Sequence, residues 1–282
     1  MKTLLWEPAI YEHKAALIGR TPLEVAMSAG LLADAVVKEH EVYRADYLTV
    51  GLDVYNIEAE ALGAVITAPS TDACPDLAGE LYDLAALPES LDLPDIPTTG
   101  RFSLLIEAAE RARDVIGDAA RIRVAASGPI TIAAKLVGAE PLILSLCMQD
   151  GNAVRLLEFT TCMAEAWCGC LRDRGLEAVV FDSMAAPPMF SPDLFREHVL
   201  PLHRRVMHVL EATAQAEREL VIGGDTTPIA GLLPDSGANV LLCDYAADAG
   251  AFRDALGDDT GVHVRRNVSP ARLAAEPPAV VG

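Results

Sequence analysis

Residues 219–244, ELVIGGDTTPIAGLLPDSGANVLLCD, carry the clearest signal of the fold. Two short apolar runs flank a glycine turn and a segment with helical spacing, which predicts a strand, a turn, a helix and a strand in that order. Apolar runs without polar alternation are typical of strands covered on both faces, as in parallel sheets. The stretch therefore predicts a repeating α/β fold.

The same alternation extends in both directions along the chain. Strands are predicted at 47–54, 121–129, 176–183, 218–225, 238–244 and 261–268. One helix is predicted before the first strand, at 21–44, and others between the strands at 103–117, 153–175, 191–216 and 248–256. The first helix begins with a capping box formed by Thr21 and Glu24, and the fourth begins with Ser191 as its cap and Pro192 as its first residue.

The predicted fold class is α/β, a TIM-barrel-like (β/α)8 domain over residues 1–282. The six predicted strands are fewer than the eight of such a barrel, so we expect it to be incomplete at its C-terminal end unless short strands such as KTLLW (2–6) complete it. Residues 68–100 are rich in proline and acidic residues and are interpreted as a surface excursion, not a second domain.

The composition excludes several classes of function. A net charge of −19 and a pI of about 4.6 disfavour nucleic-acid partners, since nucleic-acid binding depends on cations that neutralise phosphates. No apolar run reaches the ~18 residues that span a bilayer, and no signal-peptide core precedes Glu7 and Pro8, so we expect a soluble, cytoplasmic protein. The six cysteines form no paired metal-binding knuckles, which favours reduced thiols that pack in the core.

Polar residues follow the predicted strands at corresponding positions. In a barrel of this kind the chemistry is carried at the carboxyl ends of the strands. These ends hold Asp53, Ser127-Gly128-Pro129, Asp182-Ser183, Gly223-Gly224-Asp225, Cys243-Asp244 and Arg265-Arg266-Asn267. The sequence therefore predicts one site assembled from the connections that follow the strands.

Four segments resemble the uroporphyrinogen decarboxylase superfamily: FDSMAAPPMFSPDLFREHVLPL (181–202), SGPITIAAKLVG (127–138), GLDVYNIEAEALG (51–63) and GGDTTPI (223–229). The resemblance runs from about Arg44 to Pro270 and implies a TIM-barrel fold. One branch of the superfamily decarboxylates uroporphyrinogen without a cofactor. The other moves methyl groups between corrinoid proteins and acceptors such as coenzyme M, usually with zinc. The loops IEAEALG and GGDTTPI look closer to the methyltransferase branch.

The sequence departs from both branches at functional positions. The arginine-rich turn of the decarboxylases corresponds to PAIYEHKAALIGR (8–20), where only Lys14 and Arg20 are basic. A tyrosine of the decarboxylases corresponds to a small residue near Ala134. The His-x-Cys zinc ligands of the methyltransferases correspond to Val221 and Gly223, neither of which binds zinc. The resemblance therefore predicts neither a clamp for many carboxylates nor a zinc site.

The candidate catalytic residues are Asp53 and Ser183. The resemblance gives Asp53 acid/base or substrate-orienting work, while a cap for the following helix is the structural alternative. Ser183 would bind a carboxylate or hydroxyl, or else cap a turn. The candidate substrate-binding residues are Tyr55, Asn56, Gly224, Asp225, Arg265 and Arg266.

Several of the polar residues also have a structural interpretation. Arg266 stands where the family usually has glycine and would bind a carboxylate or phosphate, or else form an ion pair with one of the many acids. Thr226 and Thr227 would cap a helix whose N-terminus favours anions. For Cys243 a core position is favoured over a reactive thiolate, and His203 and His263 are interpreted as core or surface residues, not ligands.

The favoured function is that of an enzyme of corrinoid-linked or one-carbon methyl transfer that lacks the zinc site. One alternative is decarboxylation of a tetrapyrrole such as uroporphyrinogen, and another is a non-catalytic protein that binds a tetrapyrrole or corrinoid. No cofactor is expected on the protein's own metal ligands, and a partner protein is expected to supply any corrinoid. A homodimer is an expectation from family analogy, and no membrane partner is expected.

Overall fold

A computed structural model describes residues 5–211, 217–258 and 261–275. One parallel sheet contains six strands in chain order: β1 Tyr47–Val50, β4 Arg121–Ser127, β5 Glu177–Phe181, β6 Glu219–Val221, β7 Val240–Cys243 and β8 His263–Arg266. A separate antiparallel pair is formed by β2 Ile66–Thr67 and β3 Asp76–Leu77. The sheet curls into a half-barrel, which confirms the predicted strands and the incomplete barrel. Leu5 and Trp6 form no strand, and the rest of KTLLW lies outside the described residues.

The helices lie before the first strand, between the strands and after the last strand. They are α1 His13–Leu17, α2 Pro22–Ala26, α3 Ala29–Tyr43, α4 Ile57–Ala61, α5 Phe102–Ile116, α6 Pro129–Val137, α7 Ala139–Cys147, α8 Gly151–Asp173, α9 Pro192–Leu194, α10 Leu200–Glu211, α11 Ala249–Leu256 and α12 Pro270–Ala275. A π-helical turn, Phe195–Val199, joins α9 to α10. Short 3-10 segments lie at Leu84–Ala86, Gly117–Ala119, Ser183–Ala185 and Thr227–Ser236.

The predicted helix over 21–44 is two helices, because the sequence contains a second N-cap. The Thr21 hydroxyl accepts from the Glu24 N–H and the Glu24 carboxylate accepts from the Thr21 N–H, which confirms the capping box of α2. The helix ends at Ala26 with Met27 as its C-cap, and the Ser28 hydroxyl then accepts from the Leu31 N–H to start α3. A serine that satisfies the free N–H groups of a new first turn makes the break favourable.

Replacement of Thr21 by Ala tests the contribution of this cap. The variant leaves first-turn N–H groups of α2 unsatisfied, so we expect the free energy of unfolding to fall by about 1 kcal/mol. Chemical denaturation measures it. Thr71→Ala is the matched control, because Thr71 is exposed and bonds no described residue; equal effects of the two substitutions would contradict the assigned cap.

The sheet separates two apolar clusters. Side chains on its convex face pack with the helices in the main core, as Val124, Leu220 and Cys243 do. Side chains on its concave face form a smaller cluster of Val54, Ala125, Val179, Phe181, Val221 and Leu242, with Tyr11 and Tyr55 against it. Cys243 is therefore a core residue, as favoured from the sequence. Cys168 is buried in the same core, whereas Cys162 and Cys170 are half-buried.

The excursion over 68–100 packs back onto the helices. The N–H groups of Leu81 and Tyr82 donate to the Leu136 carbonyl of α6 at 2.9 and 3.0 Å. Arg155 of α8 donates to the Leu87 carbonyl at 3.0 Å. Among the described helices none is by itself long and apolar enough to cross a membrane, and α6 with α7 passes that test only as a pair bent by 109°.

Candidate functional site

Two predicted residues meet at the carboxyl ends of the strands. Tyr55 follows β1 and Ser183 follows β5, and their hydroxyl oxygens are 2.9 Å apart. The Tyr55 ring packs edge-on against Phe181, with ring centroids 6.2 Å apart, and Tyr11 contacts the same ring at 6.4 Å. The structure therefore places a hydroxyl pair at the edge of the apolar concave cluster.

The number of hydroxyl hydrogens on Tyr55 and Ser183 determines whether the pair can donate to a ligand. Burial raises the pKa of Tyr55, so its hydroxyl is neutral at neutral pH. The two hydroxyls carry two hydrogens and share one hydrogen bond, and no third group in the described part of the chain joins it. One O–H can therefore donate to a ligand. A Cβ added at Gly223 would lie 3.6 Å from the Ser183 Oγ, so the end of β6 faces the same hydroxyl.

Asp53 has a cationic partner that the sequence reasoning missed. Arg101, which directly precedes α5, donates to both Asp53 carboxylate oxygens at 2.7 Å, and both side chains are buried. The same guanidinium binds Glu60 through its Nε. Asp53 is thus held in a two-point ion pair. Its acid/base or substrate-orienting role stays a prediction.

Asn56 belongs to the same connection, and its side chain hydrogen-bonds to a backbone carbonyl of the excursion. Its Nδ2 donates to the Pro75 carbonyl at 2.9 Å and reaches the Asp53 Oδ2 at 3.5 Å. Its Oδ1 is buried and has no hydrogen-bond partner in the described residues. The observed contacts of Asn56 join the connection after β1 to the excursion.

Arg265 and Arg266 lie on opposite faces of β8. In the register of the sheet, Arg265 pairs with Leu242, which belongs to the concave cluster. Arg266 pairs with Cys243, which belongs to the main core. Arg265 is ion-paired with Glu219 at 2.6 Å and with Glu7 at 3.1 Å. The two arginines therefore lie in different environments, and the observed ion pairs are those of Arg265, whereas an ion pair was the alternative predicted for Arg266.

In the ion-pair network that contains Arg265, Arg123 and Glu219 are buried and Glu7 and Arg265 are half-buried. Arg123 binds the same two carboxylates, Glu7 and Glu219. Burial alone would raise the pKa of Glu7, but the charges of Arg123 and Arg265 outweigh it and lower that pKa. Arg266 is exposed and has no ion-pair partner among residues 5–211, 217–258 and 261–275. Its predicted anion binding remains a prediction.

Gly224 and Asp225 form an exposed turn after β6. Gly224 adopts φ +80°, a conformation that favours glycine. The Asp225 carboxylate, not Thr226 or Thr227, accepts the first-turn N–H, here from Thr227 at 3.0 Å. The predicted α-helix is a 3-10 segment, so the predicted threonine caps are wrong. The predicted contact of Gly224 and Asp225 with substrate stays a prediction.

The turn that carries Ser183 is fixed by Asp182, a strand-end residue that was assigned no individual role from the sequence. Asp182 is fully buried, accepts from the Thr131 N–H at 2.7 Å and lies 2.7 Å from the His203 Nε2. It thereby caps α6, and His203 is a core residue as predicted. A Cβ at Gly128 would lie 2.3 Å from the Asp182 Cγ, so only glycine fits there. The glycine in the Ser-Gly-Pro turn was the sequence signal for this close approach.

The residues at this edge do not fit a zinc ion. Val221 belongs to the concave apolar cluster, and Gly223 has no side chain to bind a metal. Across the described ranges no group of three or more His, Cys, Asp or Glu side chains is placed to hold a metal ion. Zinc ligation requires nitrogen, sulfur or carboxylate ligands, which these two positions do not provide.

Comparison with known proteins places the chain in a family. Residues 8–282 match the family model of uroporphyrinogen decarboxylase (URO-D), so the chain belongs to that family and the predicted resemblance is confirmed. Two curated relatives are methyltransferases. Methylated-thiol–coenzyme M methyltransferase of Methanosarcina mazei is 24% identical over 235 residues, which cover 82% of this chain and 61% of the relative. Methylcobamide:CoM methyltransferase MtaA of Methanosarcina barkeri is 22% identical over 205 residues, which cover 71% of this chain and 58% of the relative.

A solved structure supports the same fold. A methyltransferase from Methanosarcina mazei superposes with a TM-score of 0.78 and 21% sequence identity, covering 92% of this chain and 75% of that protein. This likeness confirms the predicted fold class. The chain spans less than two thirds of the length of both curated relatives. Their names agree with the prediction of an enzyme.

Proposed function

We propose that this member of the uroporphyrinogen decarboxylase family catalyses corrinoid-linked methyl transfer without a zinc site. The names of the two curated relatives support the reaction class. The observation that carries the proposal is the neutral character of the site, where the Tyr55–Ser183 hydroxyl pair borders an apolar concave face. Such a surface suits an acceptor or donor of low charge, since burying an unpaired charge is costly.

The cations around the site argue against a substrate with many carboxylates. Lys14 is buried and ion-paired with Glu39 at 3.2 Å. Arg101 is bound by Asp53 and Glu60, and Arg265 by Glu7 and Glu219. A polycarboxylate needs several basic partners that are free to bind it. Uroporphyrinogen-type decarboxylation is therefore the less favoured function.

The chain's own residues would orient the reactants. A methyl transfer moves a methyl group from a donor to a nucleophile, and correct placement of the two lowers the barrier. The free O–H of the hydroxyl pair would hold one reactant by a hydrogen bond, and Phe181 with Tyr11 would exclude water beside it. Asp53, fixed by Arg101, would hold the connection that carries Tyr55.

The proposal includes the source of the corrinoid and the setting of the enzyme. A separate corrinoid protein would supply the methyl donor, and the small-molecule acceptor would enter at the carboxyl ends of the strands. No resident metal is included in the proposal. We also propose a cytoplasmic location, and a homodimer by analogy with the family.

Removal of the two hydroxyls tests the site. We expect Tyr55→Phe and Ser183→Ala each to lower the rate of methyl transfer from methylcobalamin by about tenfold, because each removes a hydrogen bond worth about 1–2 kcal/mol. The rate is followed by the visible spectrum of the corrinoid with coenzyme M and a panel of thiol and amine acceptors. Tyr82→Phe is the matched control, since its hydroxyl bonds no described residue.

Two further measurements, of carbon dioxide release and of corrinoid binding, separate the other functions. Carbon dioxide release from uroporphyrinogen, abolished by Asp53→Asn, would establish the decarboxylase. A tight corrinoid complex without turnover would establish a binding protein. Unchanged rates of methyl transfer in both hydroxyl variants would show that Tyr55 and Ser183 do not belong to the active site.

A further inference from the structure

We infer that Glu58 is held as the neutral carboxylic acid and that its proton ties α4 to β4, which makes it a positioning residue for Tyr55. Glu58 is the second residue of α4, is 1% exposed and faces the end of β4. Its Oε1 accepts from the Ser127 N–H at 2.8 Å, and its Oε2 lies 2.6 Å from the Ser127 Oγ.

The count of hydrogens assigns the proton. The Ser127 Oγ lies within hydrogen-bond distance of two oxygens, the Val54 carbonyl at 3.0 Å and the Glu58 Oε2 at 2.6 Å. A serine hydroxyl has one hydrogen and can donate to only one of them. If Glu58 is protonated, its O–H donates to the Ser127 Oγ, and the serine hydrogen goes to the Val54 carbonyl. Every group is then satisfied.

An ionised Glu58 leaves this arrangement unsatisfied. The serine hydrogen would bond either the carboxylate or the Val54 carbonyl, and the other acceptor would lose its partner. A buried carboxylate also needs a counter-charge. The charged and titratable groups around Glu58 do not supply one, because they are Asp53 on its own connection and the Cys168 thiol on α8.

The cations near the connection have other partners. Arg101 is bound by Asp53 and Glu60. Lys135, which carries the one charge in the sequence of α6, is bound by Asp76 at 2.7 Å. Burial therefore dominates and raises the pKa of Glu58, in agreement with the hydrogen count.

The position of Glu58 explains how it would position Tyr55. Ser127 binds the carbonyl of Val54 and the carboxyl of Glu58, so it holds both ends of the segment that contains Tyr55 and Asn56. Loss of the proton would place a charge at one of these two attachments. The inference concerns a protonation state and holds whichever reaction the site performs.

The stability of Glu58→Gln as a function of pH tests the inference. A group whose pKa is raised by folding stabilises the protein at low pH, and this stabilisation is lost as the pH rises through the raised pKa. Relative to E58Q, the wild-type folding equilibrium constant should fall about tenfold per pH unit above the ordinary glutamate pKa and level off at the raised pKa. Chemical denaturation of both proteins across the pH range measures the ratio. A ratio independent of pH would overturn the inference.

Infrared spectroscopy gives a second, independent readout. A protonated carboxyl has a carbonyl stretch separate from that of a carboxylate, and E58Q should lose such a band at neutral pH. Glu41→Gln, at an exposed residue paired with Lys38, should keep it. Should E58Q fail to fold, Ser127→Ala should shift the band, since it removes the acceptor of the proton. No band at neutral pH in the wild-type protein would contradict the neutral acid.

Discussion

Replacement of Arg101 by Ala is expected to lower the free energy of unfolding by about 3–5 kcal/mol, because it leaves the buried Asp53 carboxylate without its cation. Arg101 and Asp53 are 5% and 4% exposed, so water cannot replace the two hydrogen bonds that the guanidinium donates. Glu60 would lose the same partner. Chemical denaturation at neutral pH measures the loss.

Two further variants make this result specific. Arg111→Ala removes an arginine whose ion pair with Glu107 is exposed, so its effect should stay within about 0.5 kcal/mol. Arg101→Lys should not restore stability, because an ammonium group cannot make the two parallel bonds of a guanidinium. A loss of less than about 1 kcal/mol in Arg101→Ala would mean that Asp53 is solvated or otherwise paired.

Replacement of Gly128 by Ala is expected to cost about 3 kcal/mol or more, because the added methyl group overpacks the core. The new Cβ would lie 2.3 and 2.4 Å from the Asp182 Cγ and Cβ. Asp182 cannot move aside without losing its contacts with Thr131 and His203. The backbone of Gly128 has φ −78°, which any residue adopts, so the effect is steric only. Thermal and chemical unfolding measure it.

Gly223→Ala is the matched control for this prediction. Its Cβ would make an ordinary contact of 3.6 Å with the Ser183 Oγ. The variant should therefore keep its stability while it crowds the hydroxyl pair. Comparable losses of stability in both variants would show that the tight approach at Gly128 is not the cause.

Local signals in the sequence predicted the framework. Apolar runs indicated the strands, and short polar patterns indicated the caps at Thr21 and Ser191, because strands and caps depend on residues close in sequence. The split between α2 and α3 was missed, although Ser28 is a good cap, because the apolar pattern continues through it.

The partners within the site could not be predicted in the same way. Arg101 lies 48 residues from Asp53, and Arg123 lies 116 residues from Glu7, so only the fold brings each pair together. The different environments of Arg265 and Arg266 depend on which face of β8 is concave, and two adjacent residues in a strand give no indication of that. The proximity of Tyr55 and Ser183 could be predicted from the sequence, because both residues follow strands and the residues at the carboxyl ends of parallel strands lie at the same edge of the sheet.

The most direct test of zinc-independent methyl transfer is its rate from methylcobalamin with protein from which metals have been removed by a chelator. We expect acceptor-dependent transfer that survives chelation and falls in Tyr55→Phe. Transfer that disappears on chelation and returns with one equivalent of zinc would contradict it, and would assign the chemistry to a metal site formed without Val221 and Gly223.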